Sequence, residues 1–145
     1  MDNDGTSRQL QANVDELAET LDRIGRMLER CELIDPRDVA DLADDYGSDV
    51  AEWVEDPAGA WLAAAPLEVV ELLERPLGGT AVNRGWRIVT GVGGPHVEVA
   101  LRVGAFGWRG TVRGYWGGDS AAAPLSSVAA DSIGCVLEGY ASDLN

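Results

Sequence analysis

The chain has 145 residues, 46% of them hydrophobic, and a net charge of −14 in which all 11 basic residues are arginine. This length suits one domain with its own core. Residues 1–7 hold neither a basic patch nor an apolar run, and no later stretch has the roughly 18 apolar residues of a membrane span, so a soluble, cytoplasmic protein is expected. The charge is uneven: residues 1–80 hold 20 acids and 6 arginines, whereas residues 81–145 hold 5 of each.

The first predicted element is a long amphipathic helix capped by Ser7. Spacings of three and four residues place one apolar stripe along it, made of Leu10, Val14, Leu17, Leu21, Ile24, Leu28 and Cys31. Two alternatives arise for this stripe. Either it packs against the protein's own core, or its six residues from Leu10 to Leu28 form the seam of a homodimer. Small residues beside the stripe favour the first alternative.

Four short helices are predicted to follow. Their starts are signalled by Asp35-Pro36, Ser48, Asp56-Pro57 and Pro66. The last of these helices covers 67–75 and ends at Pro76, because proline does not continue a helix. Residues 7–75 are therefore expected to form an acidic, all-helical half.

Strand signals begin beyond the glycines at 78 and 79. Residues 86–90 are rich in strand formers, residues 97–103 alternate between apolar and polar, and a third strand covers about 107–116. Short glycine-containing breaks predict an antiparallel meander of about three strands. A closing helix begins at Ser126 or Ser127 and packs on the sheet. The predicted fold is one α+β domain over residues 1–145, with the sheet and closing helix in 80–145.

Most catalytic templates are absent from the sequence. It holds one histidine, His96, and no lysine, and it has neither a Ser-His-Asp set nor zinc-binding spacing. The densest acidic cluster is Asp41, Asp44, Asp45 and Asp49, whose spacing does not fit a calcium-binding loop, and a solvated helix end is the favoured interpretation. We therefore expect no metal, no cofactor and no enzymatic activity. A carboxylate-dependent enzyme stays an alternative.

Two surfaces are candidates for partner binding. The first consists of acids expected on the outer faces of the helices: Asp15, Glu16, Glu19, Asp22, Asp41, Asp44, Asp45, Asp49, Glu52 and Glu55. The second is the polar face of the sheet, which gathers His96, Glu98, Arg102, Arg109, Arg113 and Tyr115, with Trp108 or Trp116 near its edges. The net charge disfavours direct nucleic-acid binding. In the competing interpretation, these arginines pair with the acidic helices of the same chain.

Part of the chain resembles a loose group of short proteins encoded by phages, prophages and plasmids. The likeness covers about residues 86–141 and rests on a strand ending in the turn Gly93-Gly94-Pro95, an alternating strand after it, the strand end Trp116-Gly117, and a C-terminal helix ending near Tyr140. The group has no assigned activity to carry over. What the resemblance implies is a mobile genetic element, whose small non-enzymatic proteins commonly act by occupying a host protein.

These observations lead to a functional hypothesis. We expect a small acidic protein that binds another protein and imitates the charge of nucleic acid, as inhibitors of the anti-CRISPR or antirestriction type do. Its partner is then a basic, nucleic-acid-binding protein in the host cytoplasm. The alternative is a structural or housekeeping protein of a salt-loving organism, whose acidity serves salt adaptation.

Overall fold

The computed structural model describes residues 3–29, 33–91 and 95–141. Within them the chain forms five helices, α1 Asn3–Glu29, α2 Pro36–Asp45, α3 Val50–Glu55, α4 Pro57–Ala64 and α5 Ser127–Ala141. Its five strands are β1 Glu68–Glu74, β2 Val82–Gly91, β3 His96–Gly104, β4 Gly107–Trp116 and β5 Asp119–Pro124. The predicted α+β fold class is confirmed. None of the described helices is long and apolar enough to cross a membrane.

The five strands form one antiparallel sheet in which each strand pairs with the next along the chain. The predicted three-strand meander corresponds to β2, β3 and β4, and the sheet extends beyond it by one strand at each edge. Ile88 lies opposite Val99, and Val99 lies opposite Val112. Because all three side chains are fully buried, the core is built on their face of the sheet.

Glycines allow α1 and α5 to approach this face closely. A Cβ atom added at Gly114 of β4 would lie 2.8 Å from side-chain atoms of Leu10 and Val14 in α1. A Cβ atom added at Gly134 of α5 would lie 2.5 Å from the ring of Trp108 in β4. Both distances are well below ordinary carbon–carbon contact, so these helices lie directly on the sheet.

The apolar stripe of α1 packs within the chain. Leu10, Val14, Leu21 and Ile24 are completely buried, and Leu17 is partly buried against the core. These side chains are therefore not available as the homodimer seam that was the second alternative. Leu28, at the end of α1, is exposed, and Cys31 lies outside the described residues. The helix also starts earlier than predicted, at Asn3, so Ser7 is not its cap.

Two of the predicted helix starts are confirmed by their caps. The Asp35 carboxylate accepts a hydrogen bond from the amide of Arg37, and the Asp56 carboxylate accepts one from the amide of Gly59. The start predicted at Ser48 is wrong by one residue, because Asp49 caps α3. Asp49 accepts the amide of Ala51, and aspartate is at least as good a cap as serine.

The predicted helix over 67–75 is wrong, because Glu68–Glu74 forms strand β1. Its apolar residues fit helical and strand spacings alike, and the β-branched Val69 and Val70 suit a strand. β1 pairs with β2 over its whole length, with Val69 opposite Ile88. The pairing edge of β2 thus decided a locally ambiguous segment, and the helical part of the first half ends at Ala64.

Strand β5, Asp119–Pro124, is the second strand that the residue pattern did not predict. Its sequence contains three alanines and ends in proline, and neither residue is typical of strands. The tight turn that leads into it contains Gly117 at a positive φ of 62°. Because β5 is an edge strand with a partner on one side only, its terminal proline leaves the pairing with β4 intact.

Candidate functional site

The polar face of the sheet lies opposite the helices, and the strand register brings its predicted residues together. His96 lies opposite Tyr115, Glu98 opposite Arg113, and Arg102 opposite Arg109. Side chains alternate between the two faces of a strand, so all six lie on the face away from Val99 and Val112. We call this surface the open sheet face.

The open sheet face carries four arginines, Arg87, Arg102, Arg109 and Arg113, and all of them are exposed. None of the four makes a hydrogen bond or an ion pair within the described part of the chain. Glu98 is buried at 8% exposure and pairs with His96, at 3.1 Å between Oε1 and Nε2. Two exposed acids of β1 lie on the same face, Glu68 and Glu74, and Glu74 is paired with Arg84 at 3.1 Å. The four unpaired arginines therefore outnumber the one remaining exposed carboxylate, Glu68.

The competing interpretation, in which these arginines pair with the acidic helices, is wrong. Packing of α1 on Gly114 and of α5 on Trp108 puts both helices on the other face of the sheet. The sheet itself separates the two groups of charges, because side chains of opposite phase point away from each other. The arginines and the helical acids are thus directed toward different partners or solvent.

The residues of this face differ from the predicted set at two positions. Trp116 follows the phase of Val112 and Gly114, so it lies on the helix-bearing face at the end of β4, at 41% exposure. Arg87 was not predicted, although it lies opposite Ala100 in the open sheet face. The alternation of Trp86, Arg87 and Ile88 was a usable signal once the register of β2 with β3 is known.

The ten predicted acids fall into two groups, according to whether their carboxylates form hydrogen bonds or ion pairs within the described residues. Six of them are exposed and make no hydrogen bond or ion pair through their carboxylates among the described residues. We call these six the acidic helical surface: Glu16 and Glu19 of α1, Asp44 and Asp45 of α2, and Glu52 and Glu55 of α3. Arg23 and Arg26 of α1 lie beside Glu16 and Glu19, and the six carboxylates outnumber these two arginines.

The other four acids stabilise the fold. Arg23 of α1 donates two hydrogen bonds to the Asp41 carboxylate, at 2.7 and 2.9 Å, and this pairing lowers the pKa of Asp41. Asp49 caps α3, and Asp15 accepts a hydrogen bond from Gln11 at 2.9 Å. Asp22 accepts hydrogen bonds from the amide of Ser126 at 3.1 Å and from its hydroxyl at 2.7 Å. These four are therefore structural residues in the first place.

Asp22 holds the start of α5 against α1. Ser126 caps α5 by accepting the amide of Ala129, which confirms one of the two predicted caps, and Asp22 orients that hydroxyl. We expect Asp22→Ala to lower the free energy of unfolding by about 1 kcal/mol, the usual loss for a helix cap. Urea unfolding followed by circular dichroism measures this. An equal loss in Asp15→Ala, which removes a carboxylate without a capping role, would contradict it.

An open cleft of about 350 Å³ adjoins the acidic helical surface, with Glu16, Leu17, Tyr46, Thr90 and Val97 in its lining. The Tyr46 ring stacks on Trp53 with centroids 5.6 Å apart, and its hydroxyl accepts a hydrogen bond from the Trp61 indole at 3.3 Å. Burial raises the pKa of Tyr46, and the charges of Asp45 and Glu16 raise it further. Acids of α1 and α2 thus meet around one phenol.

The four aspartates of the densest cluster have separate surroundings. Asp41 is held by Arg23 and Asp49 by the start of α3, while Asp44 and Asp45 face solvent. Within residues 3–29, 33–91 and 95–141, no group of three or more metal-ligating side chains is placed to hold a metal ion.

The fold and its two surfaces define an α+β domain with an open antiparallel sheet and opposite charges on its two sides. No protein-family model, curated protein or solved structure matches this chain. The functional conclusions therefore depend on the surfaces themselves.

Proposed function

We propose that this is a non-enzymatic binding protein whose acidic helical surface occupies a basic, nucleic-acid-binding protein. The observation that carries the proposal is the separation of charge across the molecule. The six carboxylates of the acidic helical surface lie on three neighbouring helices, and four unpaired arginines lie on the opposite side of the sheet. A partner that approaches the helices therefore meets six exposed carboxylates. The arginines beside them on α1 are Arg23, which is paired with Asp41, and Arg26, so the surface remains negative.

The geometry suits imitation of a nucleic-acid backbone. Duplex DNA presents a charge about every 1.7 Å along its axis, whereas acids one turn apart on a helix are about 5–6 Å from each other. One helix is thus too sparse, and several adjoining helices are needed. The charges of Glu16 in α1 and Asp45 in α2 both raise the pKa of Tyr46, and Trp53 of α3 stacks on the same ring. The three helices consequently offer one shared negative surface.

This function fits a mobile genetic element, which the resemblance of residues 86–141 implies. Inhibitors of the anti-CRISPR and antirestriction type act on host proteins that bind nucleic acid, and such proteins carry basic surfaces. Salt adaptation is a weaker explanation, because it acidifies exposed faces generally. The open sheet face is not acidified in this way, because its four exposed arginines outnumber its exposed acids, Glu68 and Glu74.

The proposal is tested by affinity capture from host lysate on the immobilised protein, with duplex DNA as competitor. We expect a basic protein to be captured at about 0.1 M KCl, to be displaced by the DNA, and to bind more weakly at higher salt. The triple variant Asp44→Asn, Asp45→Asn, Glu52→Gln is expected to lose at least about ten-fold in affinity, since its three charges face the partner directly.

A matched control removes the same number of charges elsewhere. Glu68→Gln, Glu74→Gln and Asp119→Asn lie in the strands β1 and β5, outside the acidic helical surface, and are expected to leave capture unchanged. Equal losses in both triple variants, or capture that duplex DNA does not displace, would refute the proposal. Unfolding of the protein at about 0.1 M KCl would instead favour salt adaptation.

A further inference from the structure

The middle of the open sheet face is a flat floor surrounded by arginines. Ala100 and Thr111 lie opposite each other at its centre, and on β2 Arg87 lies opposite Ala100 and Gly85 opposite Arg102. These short side chains leave the guanidinium groups of the four arginines projecting beyond the floor. Toward β1 the face has an aliphatic pair, because Val70 lies opposite Arg87 and Leu72 opposite Gly85. Glu68 and Glu74 flank this pair along β1, and Glu74 is paired with Arg84.

Two of the arginines are placed at a cost to the sheet. Arg102 and Arg109 are direct cross-strand partners, and like charges in that position destabilise an antiparallel pair. Glu98, the acid nearest to them on β3, is buried and hydrogen-bonded to His96. A face selected for folding alone would place an acid or a threonine opposite Arg102, so this pair indicates an external anion.

We propose that the open sheet face is a second binding surface, and that its partner is a protein segment carrying carboxylates beside aliphatic side chains. Charge complementarity supplies the first half of this assignment, because four unpaired guanidinium groups fit carboxylates, which arginine binds in a bidentate manner. The half-buried Val70 and Leu72 account for the aliphatic side chains of the partner, because they adjoin the arginine cluster and offer apolar contact.

A single-stranded nucleic acid fits this face less well. Such strands bind to sheets that offer several aromatic side chains for base stacking, and the open sheet face has Tyr115 at one corner, tilted against His96. The helical acids do not prevent an acidic segment from binding. They lie on the far side of the sheet and of the helices that pack on it, and exposed charges separated by more than the Debye length of about 8 Å at physiological salt are largely screened from each other.

This surface is independent of the proposed function, because it involves none of the acids of the helices. The test uses the full chain and a fluorescein-labelled peptide of repeated Asp-Glu-Leu units, with an Asn-Gln-Leu peptide as the uncharged comparison. We expect the acidic peptide to raise fluorescence anisotropy and the uncharged peptide to leave it unchanged. Arg102→Gln combined with Arg109→Gln is expected to weaken binding roughly ten-fold or more, equivalent to at least about 1.4 kcal/mol.

The matched control is Arg8→Gln combined with Arg26→Gln, which removes two arginines from α1 and is expected to leave binding unchanged. Urea unfolding gives a second readout. Arg109→Thr relieves the like-charge pair and is expected to raise the unfolding midpoint while weakening peptide binding. A purely structural role of Arg109 predicts a lower midpoint instead.

Three results would overturn the proposal. The first is equal binding of the acidic peptide to the two double variants. The second is tighter binding of an oligothymidylate strand than of the acidic peptide, which would assign the face to nucleic acid. The third is concentration-dependent self-association, measured by sedimentation velocity, that the Arg102 and Arg109 substitutions abolish, because a second copy would then be the partner.

Discussion

Replacing Trp61 with alanine is expected to lower the free energy of unfolding by about 3–5 kcal/mol. Trp61 is completely buried in α4 and belongs to the same core cluster as Trp86 and Ile88 of β2. Its indole also donates a hydrogen bond to the hydroxyl of Tyr46. The substitution therefore opens a cavity and leaves a half-buried hydroxyl without its donor.

The expected loss is a large share of the roughly 5–15 kcal/mol that stabilises a typical domain, so the variant is expected to unfold at much lower urea concentration. Circular dichroism measures this without depending on tryptophan fluorescence. Trp116→Ala is the matched control, because it removes the same side chain at 41% exposure and is expected to cost less than about 1 kcal/mol. Similar losses in the two variants would mean that α4 does not anchor the core as described.

The second large effect is expected at Gly25, where α1 crosses α5. A Cβ atom there would lie 2.8 Å from the backbone nitrogen of Ala129 and 2.9 Å from its Cα atom. Backbone atoms of a helix do not rotate away as a side chain does, so the two helices must separate. We expect Gly25→Val to cost about 1–3 kcal/mol, the usual penalty for overpacking.

Gly139 of α5 provides the control for this prediction. A Cβ atom added there meets no atom within 4 Å, so Gly139→Ala is expected to stabilise the protein by up to about 1 kcal/mol through helix propensity alone. Thermal unfolding of Gly25→Ala, Gly25→Val and Gly139→Ala separates propensity from contact. If Gly25→Ala were as stabilising as Gly139→Ala, the close approach of α1 and α5 would be incorrect.

The two surfaces suggest how one small acidic chain can serve two contacts. The acidic helical surface and the open sheet face carry opposite charges and are separated by the sheet and the helices on it. If both proposals are correct, the substitutions at Asp44, Asp45 and Glu52 abolish capture of the basic protein and preserve binding of the acidic peptide. Substitutions at Arg102 and Arg109 are expected to do the reverse, because charges beyond a Debye length act independently.

Strong local signals made several elements predictable. Seven apolar residues at helical spacing predicted α1, strict alternation over 97–103 predicted β3, and the Asp-Pro pairs at 35–36 and 56–57 predicted the starts of α2 and α4. The segment that became β1 carried a pattern compatible with helix and strand, and only the free edge of β2 distinguished them. Strand β5 lacks strand-forming residues, so pairing with β4 determines it.

The candidate surfaces, like the elements, were predictable where local pattern determines them and not where contacts in the fold do. Membership of the open sheet face followed from alternation within each strand for His96, Arg102, Arg109, Arg113 and Tyr115. Trp116 was assigned to it incorrectly, because its phase along β4 is that of Gly114. Among the ten predicted acids, Asp22 and Asp41 could not be distinguished from the others by local pattern, because their partners Ser126 and Arg23 lie far along the chain or on another helix.

The uneven charge, the amphipathic first helix and the α+β class follow from composition and short-range periodicity, which are properties of the residue order alone. The direction in which the arginines point depends on which face of the sheet the helices cover. That face cannot be inferred from local pattern, because the packing of α1 against Gly114 and of α5 against Trp108 joins residues about 100 and 26 positions apart along the chain. Local patterns carry no information about these long-range contacts. The contacts place the helices on one face of the sheet and so separate the acids from the arginines.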